Sequence, residues 1–563
     1  MRLSITHTTN NTYFYMIKSF REHGKNKTII VEKLGSLEEV KSKANGKDPV
    51  VWAKEYIAQK TAEEKEGKAV YYQKLVEGIP LSKKQKLFNV GYIFLEKLYY
   101  DLKLDKTCKK ISEEYRIKYD LNKILQDLIY TRIINPCSKL SSFEIAQKFI
   151  EQPSYELHDI YRALEIISKK TDFIESEVYK NSLKVINRNT KILYYDCTNY
   201  FFEIEQAEGL KQYGKSKEHR QSPIVQMGLF MDGNGLPLAF NITSGNANEQ
   251  TTMKPLEEQI MQDFDMSKFI VCTDAGLASI ANRKFNNIQS RSFIVTQSLK
   301  KIKGHLQEWA LSKDRWHTLG SKNEINLNSL TEKDYDKIFY KERWINENGL
   351  EQRLIVSYSP KYAEYQKNIR DGQIQRAKEI IENPGKSTRN LNDPKRFINI
   401  DSVTDDGEIA EKKVRSLNLD AIKKEEQFDG FYAVCTTLED DIADIIKINK
   451  NRWEIEESFR ILKTDFKARP VYLKRDDRIK AHFTVCFLSL LIFRILEKKL
   501  KEGYTSREII TTLKQMNSLE IEGFGYKQTY ANTEVTEELS KQFNININQD
   551  FISFKQMKKF IKK

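Results

Sequence analysis

The pattern of hydrophobic and polar positions changes its period several times along the chain. Residues 1 to about 45 alternate in the manner of strands, and Gly24 lies in a basic loop between two alternating runs, which predicts a β-hairpin. Residues 54–70 are highly charged and predict a solvated helix or a linker. From residue 80 to 190 apolar residues recur at helical spacing, which predicts several short helices.

At Lys191 the period becomes that of strands. Three apolar runs follow one another between residues 191 and 246, and a Gly-Asn-Gly turn joins the last two, which predicts an antiparallel meander. A helical pattern comes next, then a short apolar strand that ends in Asp274, then another helix and another strand. The order βββαβαβ predicts a mixed α/β sheet.

Residues 300–427 interrupt this pattern. A hairpin that turns at Asn348-Gly349 is predicted at 337–358, and a charged helix at 361–383. We therefore expect an insertion of mixed strand and helix within the α/β domain.

The α/β pattern returns at residue 428 with a strand. Residues 448–469 contain strong helix formers and no Gly or Pro, which predicts one continuous helix. The apolar run from Phe483 to Phe493 is too short to span a bilayer and predicts a buried helix.

These patterns predict six segments. They are an N-terminal β-hairpin region with a linker, a helical candidate DNA-binding domain, the first part of an α/β core, an inserted domain, the second part of the core, and a basic helical tail. In that order the segments are 1–70, 71–190, 191–299, 300–427, 428–500 and 501–563. A helical scaffold without DNA contacts is the alternative for the second segment.

Composition narrows the classes of function. The 563-residue chain has 93 Lys and Arg against 79 Asp and Glu, a formal net charge of +14. This balance favours a polyanionic partner, most simply nucleic acid, although an anionic membrane surface or a Lys-rich proteome would also account for it. The six cysteines are scattered, which argues against a disulfide scaffold or a zinc site and favours a reducing cytosol. The N-terminus lacks the apolar core of a signal peptide.

Two aspartates lie in apolar runs, where burying a carboxylate has a high energetic cost. Asp196 is in the middle of the apolar run ILYYDCTNYFF, and Asp274 ends the run FIVCTD. The most economical sheet places these two strands side by side, and two carboxylates that close must share a proton or bind a metal ion. Because no His or Cys is nearby in sequence, an all-oxygen site for Mg²⁺ or Mn²⁺ is predicted. Two such ions about 3.5–4 Å apart would suit reactions at a phosphodiester.

A third carboxylate, Glu456, lies on the helix predicted at 448–469. On one continuous helix Arg452, Glu456 and Lys463 would fall within roughly 40° of one another around the axis. A solvated row of charges is one interpretation, since such pairs are common on surfaces. Together with the two aspartates, the row instead predicts a third metal ligand flanked by two cations that contact DNA phosphates. Trp453 on the same helix is expected to be a core residue.

With these motifs in place, the chain resembles the DDE transposases of bacterial insertion sequences, which carry a Y-x2-R-x3-E-x6-K signature. Arg452, Glu456 and Lys463 match the R-x3-E-x6-K part, whereas Asn449 stands at the position of the tyrosine. Asp196 opens a segment similar to the D-x-T-x-x-F/Y motif of the family, and VCTDAG is similar to its second aspartate motif. The resemblance covers about 190–300 and 428–495.

The resemblance implies a fold and an activity. The fold would be α/β, an RNase H-like mixed sheet flanked by helices and interrupted by the inserted domain. Asp196, Asp274 and Glu456 would be catalytic and would hold two Mg²⁺ or Mn²⁺ ions. The protein would bind terminal inverted repeats, cut double-stranded DNA and join it to target DNA, working as a homodimer or larger synaptic complex. We expect it in the bacterial cytoplasm, with the nucleoid and away from membranes.

Two alternatives remain open from the sequence. The first is an RNase H-like nuclease without strand transfer, which target-joining assays would distinguish. The second is a transposase-derived DNA-binding protein that is catalytically inactive. Asn449 keeps this second possibility open, and metal titration would test it.

Overall fold

The structure is a computed structural model that describes residues 1–8, 11–22, 25–76, 86–288, 290–321, 323–383, 394–403, 412–500 and 503–561. The chain divides into two compact units, Met1–Gln85 and Lys86–Lys563.

The smaller unit is a three-stranded sheet with two helices. Its elements are β1 (Arg2–His7), β2 (Thr12–Glu22), β3 (Lys25–Ser36), α1 (Leu37–Lys43) and α2 (Pro49–Val76). The strands are antiparallel in the order β1-β2-β3, so the predicted pairing of two alternating runs is confirmed, while Gly24 lies outside the described residues. Side chains from these strands and helices, among them Phe14, Leu34 and Ile57, pack together in a small core.

The larger unit begins with a short strand and a helical region, as the period of residues 80–190 predicted. The elements are β4 (Leu87–Asn89), α3 (Tyr92–Asp101), α4 (Leu104–Tyr115), α5 (Leu121–Ile134), α6 (Lys139–Ala146), α7 (Leu157–Lys169) and α8 (Thr171–Ser182).

The α/β core and its insertion follow. The first part contains β5 (Ile192–Phe201), β6 (Ile224–Asp232), β7 (Pro237–Ser244), α9 (Glu249–Asp263), β8 (Ile270–Thr273), α10 (Ile280–Phe285) and β9 (Ser292–Thr296). The insertion contains α11 (Gly304–Leu311), β10 (Trp316–Thr318), β11 (Glu324–Ile325), β12 (Phe339–Glu347), β13 (Leu350–Tyr358), α12 (Pro360–Glu382), β14 (Ile398–Val403), β15 (Lys412–Leu417) and α13 (Leu419–Glu426).

The remaining elements complete the core and the C-terminal region. They are β16 (Phe431–Thr436), α14 (Ile442–Lys450), α15 (Trp453–Arg460), α16 (Asp476–Lys499), α17 (Ser506–Gln515), β17 (Asn517–Ile521), β18 (Gly525–Gln528), α18 (Glu534–Phe543), β19 (Phe551–Ser553) and α19 (Phe554–Phe560).

One ten-stranded sheet organises the larger unit, in the order β11-β10-β12-β13-β16-β9-β8-β5-β6-β7. Strands β5, β6 and β7 form the predicted antiparallel meander, and β8 runs parallel to both β5 and β9. This order and these directions confirm the predicted RNase H-like mixed sheet. Helix α9 packs on one face, with Leu193 and Tyr195, whereas α14 to α16 pack on the other, with Tyr194 and Cys272.

The insertion extends the sheet of the core. Strand β13 pairs with β16 along six residues, and β12, β10 and β11 add to its outer edge. The predicted hairpin is confirmed, since β12 and β13 are joined through Asn348 and Gly349, whose φ angles of 53° and 75° suit a tight two-residue turn. Strands β14 and β15 form a separate two-stranded sheet.

The apolar helix predicted after Pro470 is α16. It is long and apolar enough by composition to cross a membrane, but 94% of its apolar window is buried within the protein. It packs against α3, α5 and α7, so the helical region and the sheet share one core. The prediction of a buried helix is confirmed.

Two predictions need correction. Residues 448–469 are not one helix, because α14 ends at Lys450, α15 begins at Trp453, and a π-helical turn follows at Ile461–Asp465. The C-terminal segment 501–563 is not only helical, because β17, β18 and β19 form a four-stranded sheet with β4. The other predicted segment boundaries stay predictions.

A tertiary contact explains the break in the helix. In a continuous helix the carbonyl of Ile448 would accept from the amide of Arg452. Here the hydroxyl of Tyr194 donates to that carbonyl at 3.0 Å, and the Arg452 amide turns to the carbonyl of Asn449 at 3.3 Å. Strand β5 thus replaces a helical hydrogen bond at the point where the helix is interrupted.

Candidate active site

Asp196 lies on β5, and Asp274 directly follows the neighbouring strand β8. Strands β5 and β8 run parallel, and Tyr194 is the register partner of Cys272. Each aspartate lies two residues further along its strand direction. Because side chains alternate between the faces of a sheet, Asp196 lies on the face of Tyr194 and Cys272, which α14 and α15 cover. The Asp274 carboxylate is close enough to raise the pKa of Asp196. The predicted juxtaposition of the two aspartates is present in the structure.

Local structure fixes both carboxylates. Asp196 is half-buried, and its own side chain accepts from the amide of Cys197 at 2.7 Å. Asp274 follows the last residue of β8 and accepts from the amide of Leu277 at 3.0 Å, which shapes the turn after the strand. Asp196 is therefore held within β5, and Asp274 is held in the turn that directly follows β8.

The electrostatics of Asp196 reflect burial and a like charge. Burial raises the pKa of Asp196 to about 6, and the Asp274 carboxylate adds to this rise. Lys217 and Arg452 oppose it, so both cations lie near the pair. Lys217 belongs to the loop between β5 and β6, donates to the carbonyl of Cys197 and lies 3.6 Å from Glu249.

Glu456 lies near this region but is engaged elsewhere. Its carboxylate forms an ion pair with Arg452 at 3.2 Å, and its side chain is 59% exposed. Within the described part of the chain, no group of three or more His, Cys, Asp or Glu side chains is close enough to hold a metal ion. The structure thus brings the two aspartates together, and Arg452 links them electrostatically to Glu456.

Lys463 contributes a second partly desolvated cation. Burial lowers the pKa of Lys463 to about 8, Lys217 lowers it further, and Asp196 opposes this shift. Its ammonium lies 3.9 Å from Glu218 and 5.7 Å from the centre of the Tyr200 ring. Arg452 and Lys463 therefore both lie near Asp196, although the helix break and the π-helical turn interrupt the single stripe that the sequence predicted.

Asn449, at the position of the signature tyrosine, is a buried structural residue. Its amide donates to the hydroxyl of Tyr432 at 3.0 Å, and the thiol of Cys272 lies 3.8 Å from its side-chain oxygen. Tyr432 in turn lies 2.7 Å from the hydroxyl of Thr296. Asn449 thus ties α14 to β8 and β16 beneath the site.

A cavity of about 380 Å³ opens beside Arg452 and Glu456. Its floor comes from β13 and β16 through Ile355 and Val434, and the inserted region also contributes Tyr362. Trp453 lines it and is 55% exposed, so the expectation of a core tryptophan is wrong. Trp453 lies two residues before the buried Ile455, so at helical spacing its side chain is on the opposite face of α15 from the core.

Two further residues near the site, Lys217 and Glu218, were not predicted from the sequence. Both come from the stretch KSKEHR, a basic loop that differs little from other charged loops in this chain. The loop connects β5, which carries the buried Asp196, to β6, the next strand of the meander. This connection would have indicated that the charged residues of the loop lie near the site.

The family of the chain follows from a sequence comparison. A family model described as a transposase DDE domain matches residues 200–492, more than half of the chain. The protein therefore belongs to the DDE transposase family, whose members cut and join DNA strands and generally use divalent metal ions. The matched range contains Asp274, Arg452, Glu456 and Lys463, and begins four residues after Asp196.

Other comparisons are more distant. The structure is similar to one titled as a piggyBac transposase synaptic complex with hairpin DNA, at 8% sequence identity and a TM-score of 0.37, over 85% of this chain and 87% of that one. No curated protein matches the sequence.

Proposed function

We propose that this protein is the transposase of a bacterial insertion sequence, which binds terminal inverted repeats, cuts DNA at the ends of the element and joins it to a target. The observation that carries the proposal is the closeness of Asp196 on β5 and Asp274 directly after the parallel strand β8. Membership of the DDE transposase family and the net charge of +14 support it.

The donor set of the site fits Mg²⁺ or Mn²⁺. Asp196 and Asp274 offer only carboxylate oxygens. Burial, together with the neighbouring Asp274 carboxylate, raises the pKa of Asp196 to about 6. These two side chains would hold the ions, and Glu456 would join them after leaving Arg452. The ions would supply charge stabilisation at the phosphodiester and lower the pKa of a bound water or 3′-hydroxyl.

The chain's own cations would bind and orient the DNA. Arg452 and Lys463 would contact the backbone phosphates on either side of the scissile bond, and Lys217 would add to them. A phosphate that replaced Glu456 as the partner of Arg452 would free the Glu456 carboxylate. We infer that DNA binding completes the triad, which explains why the free protein holds the aspartates ready and Glu456 apart.

Binding to two DNA ends requires more than one copy of the site. A homodimer or larger synaptic complex would hold both ends of the element together with the target. The helical region 71–190 would supply contacts to the inverted repeats, and the protein would act at the nucleoid in the cytoplasm.

A cleavage assay with the gene's own flanking ends tests the proposal. The native protein with Mg²⁺ or Mn²⁺ should give end-specific cuts and joined products, and Asp274→Asn should abolish both. Asp265→Asn is the matched control, since Asp265 is exposed and has φ 55°, which asparagine tolerates.

Other results of this assay would contradict the proposal. Cuts that ignore the ends would indicate the nuclease without strand transfer. Specific binding of the ends without cuts by either protein would indicate a transposase-derived DNA-binding protein.

A further inference from the structure

A second basic cavity lies outside the candidate active site. It has a volume of about 320 Å³ and lies between the first turn of α6, the end of α5, residues 467–473 and α16. Its basic lining residues are Arg132, Lys139, Lys467, Arg469 and His482. No Asp or Glu lines it among the described residues.

Lys139 is the most unusual group in this cavity. The residue is 6% exposed, and its ammonium has no hydrogen-bond partner in the described part of the chain. Burial lowers the pKa of Lys139 to about 7, and the neighbouring Arg132 lowers it further. A buried ammonium without a carboxylate or carbonyl partner is costly to keep, so an anion that the free protein lacks would explain it.

Other groups that line the cavity would also favour a bound anion. Arg132 is 4% exposed and donates to the carbonyls of Phe466 and Cys137, both at 3.1 Å, while its Nε has no partner among the described residues. Burial lowers the pKa of His482 well below its usual value, and Lys139 and Arg132 lower it further. The first turn of α6, capped by Ser138, adds the positive end of a helix dipole.

A short path connects this cavity to the candidate active site. Glu218 forms ion pairs with Arg469, which lines the cavity, and with Lys463, which lies near Asp196. The amide of Val471 also approaches the carbonyl of Phe201, at the end of the strand that carries Asp196, at 3.5 Å. A strand of DNA at the aspartates would therefore pass close to the mouth, where Tyr472 is 71% exposed.

We propose that this cavity is a phosphate-binding site, in which Lys139 and Arg132 take a backbone phosphate of DNA bound at the neighbouring active site. The assignment of DNA as the source rests on the proposed function. The chemistry of the cavity itself requires only a phosphate group, which free inorganic phosphate would also supply.

Lys139→Met tests the site in the full-length protein. The substitution keeps an unbranched side chain that is only one atom shorter and removes a buried ammonium without a partner, so the variant should fold at least as well as the native protein. Lys148→Met is the matched control, because Lys148 follows the same helix, is exposed and lies outside the cavity.

The first arm measures the binding of inorganic phosphate to the protein by calorimetry, in a buffer that contains no phosphate of its own. The native protein and Lys148→Met should bind phosphate, and Lys139→Met should lose this binding. The second arm measures the affinity for a DNA duplex between 50 and 200 mM salt. Lys139→Met should weaken binding about tenfold at low salt, as expected for one charge-assisted hydrogen bond, and should reduce the slope of log K against log salt by about 0.9.

The two arms separate the sources of the phosphate. Loss of phosphate binding with an unchanged salt slope would identify a free phosphate and overturn the DNA assignment. Phosphate and DNA affinities of Lys139→Met equal to the native ones would overturn the site itself. If Lys139→Met loses phosphate binding and the native protein does not cut DNA in the cleavage assay, the phosphate site would be supported and the transposase activity would be refuted.

Discussion

Arg494 holds together three elements near the candidate site, and its removal should destabilise the protein strongly. The side chain is 4% exposed, forms ion pairs with Glu454 on α15 and with Glu497 one turn further along α16, and donates to the carbonyl of Gly235 at 3.3 Å. Arg494→Met would leave two neighbouring carboxylates, 18% and 22% exposed, without a cation.

The magnitude follows from this partial burial. Breaking a fully buried ion pair costs about 3–5 kcal/mol, and since both carboxylates retain some contact with water we expect about 2–4 kcal/mol. Burial and Glu454 already raise the pKa of Glu497, and Arg494 lowers it. Without Arg494 that pKa would rise further above its unfolded value. The deficit of the variant should therefore be largest above neutral pH and shrink as the pH falls toward 5.

Urea unfolding followed by pulse proteolysis at pH 7.5 and at pH 5 measures this effect. Arg460→Met is the control, since Arg460 pairs with Glu457 and Asp465 but is 43% exposed, and its loss should cost less than about 1 kcal/mol. A variant Arg494→Met as stable as the native protein at pH 7.5, or a deficit that grows toward pH 5, would refute the reasoning.

Two further predictions concern the site itself. Asp196→Asn should raise the free energy of unfolding by about 1–3 kcal/mol at pH 7.5, and the gain should fade below the pKa of about 6, because a carboxyl with a raised pKa stabilises the fold only while protonated. Urea titrations at pH 4.5 and 7.5 check this, and Mn²⁺ should stabilise the native protein more than the variant. Tyr194→Phe should lower the free energy of unfolding by about 1 kcal/mol, because it removes the hydrogen bond to the Ile448 carbonyl. It should also slow DNA cleavage. Unchanged cleavage would show that the break between α14 and α15 is not needed to position Glu456.

The sequence was sufficient for the parts of the fold that depend on local pattern. Strand period and strand order predicted that β5 and β8 are neighbours, so the juxtaposition of Asp196 and Asp274 was predictable. The hairpin at Asn348-Gly349 was equally accessible, because that dipeptide supplies both positive φ angles. The roles of these aspartates and of Glu456, Arg452 and Lys463 stay predictions.

Non-local contacts account for the features that were missed. The break between α14 and α15 depends on Tyr194, which is far from Ile448 in sequence, so the helix propensity of residues 448–469 was overridden. Likewise β4 near residue 88 pairs with β17 near residue 518, and neither short strand has a strong pattern of its own. Lys139 looked like one lysine among many, because burial without a partner is visible only in three dimensions.

The pairing of β16 determines when the ten-stranded sheet can be completed during synthesis of the chain. β9 and β13 both pair with β16, so the two halves of the ten-stranded sheet remain unjoined until Phe431–Thr436 has left the ribosome. At about 5–20 residues per second, synthesis from Thr296 to Phe431 takes on the order of ten seconds. During that interval the aspartate pair already exists on the nascent chain, while α15 with Glu456 has not been synthesised. If Asp196, Asp274 and Glu456 act together as we propose, a nascent or truncated chain that lacks α15 carries an incomplete site, and only a nearly finished molecule can act on DNA.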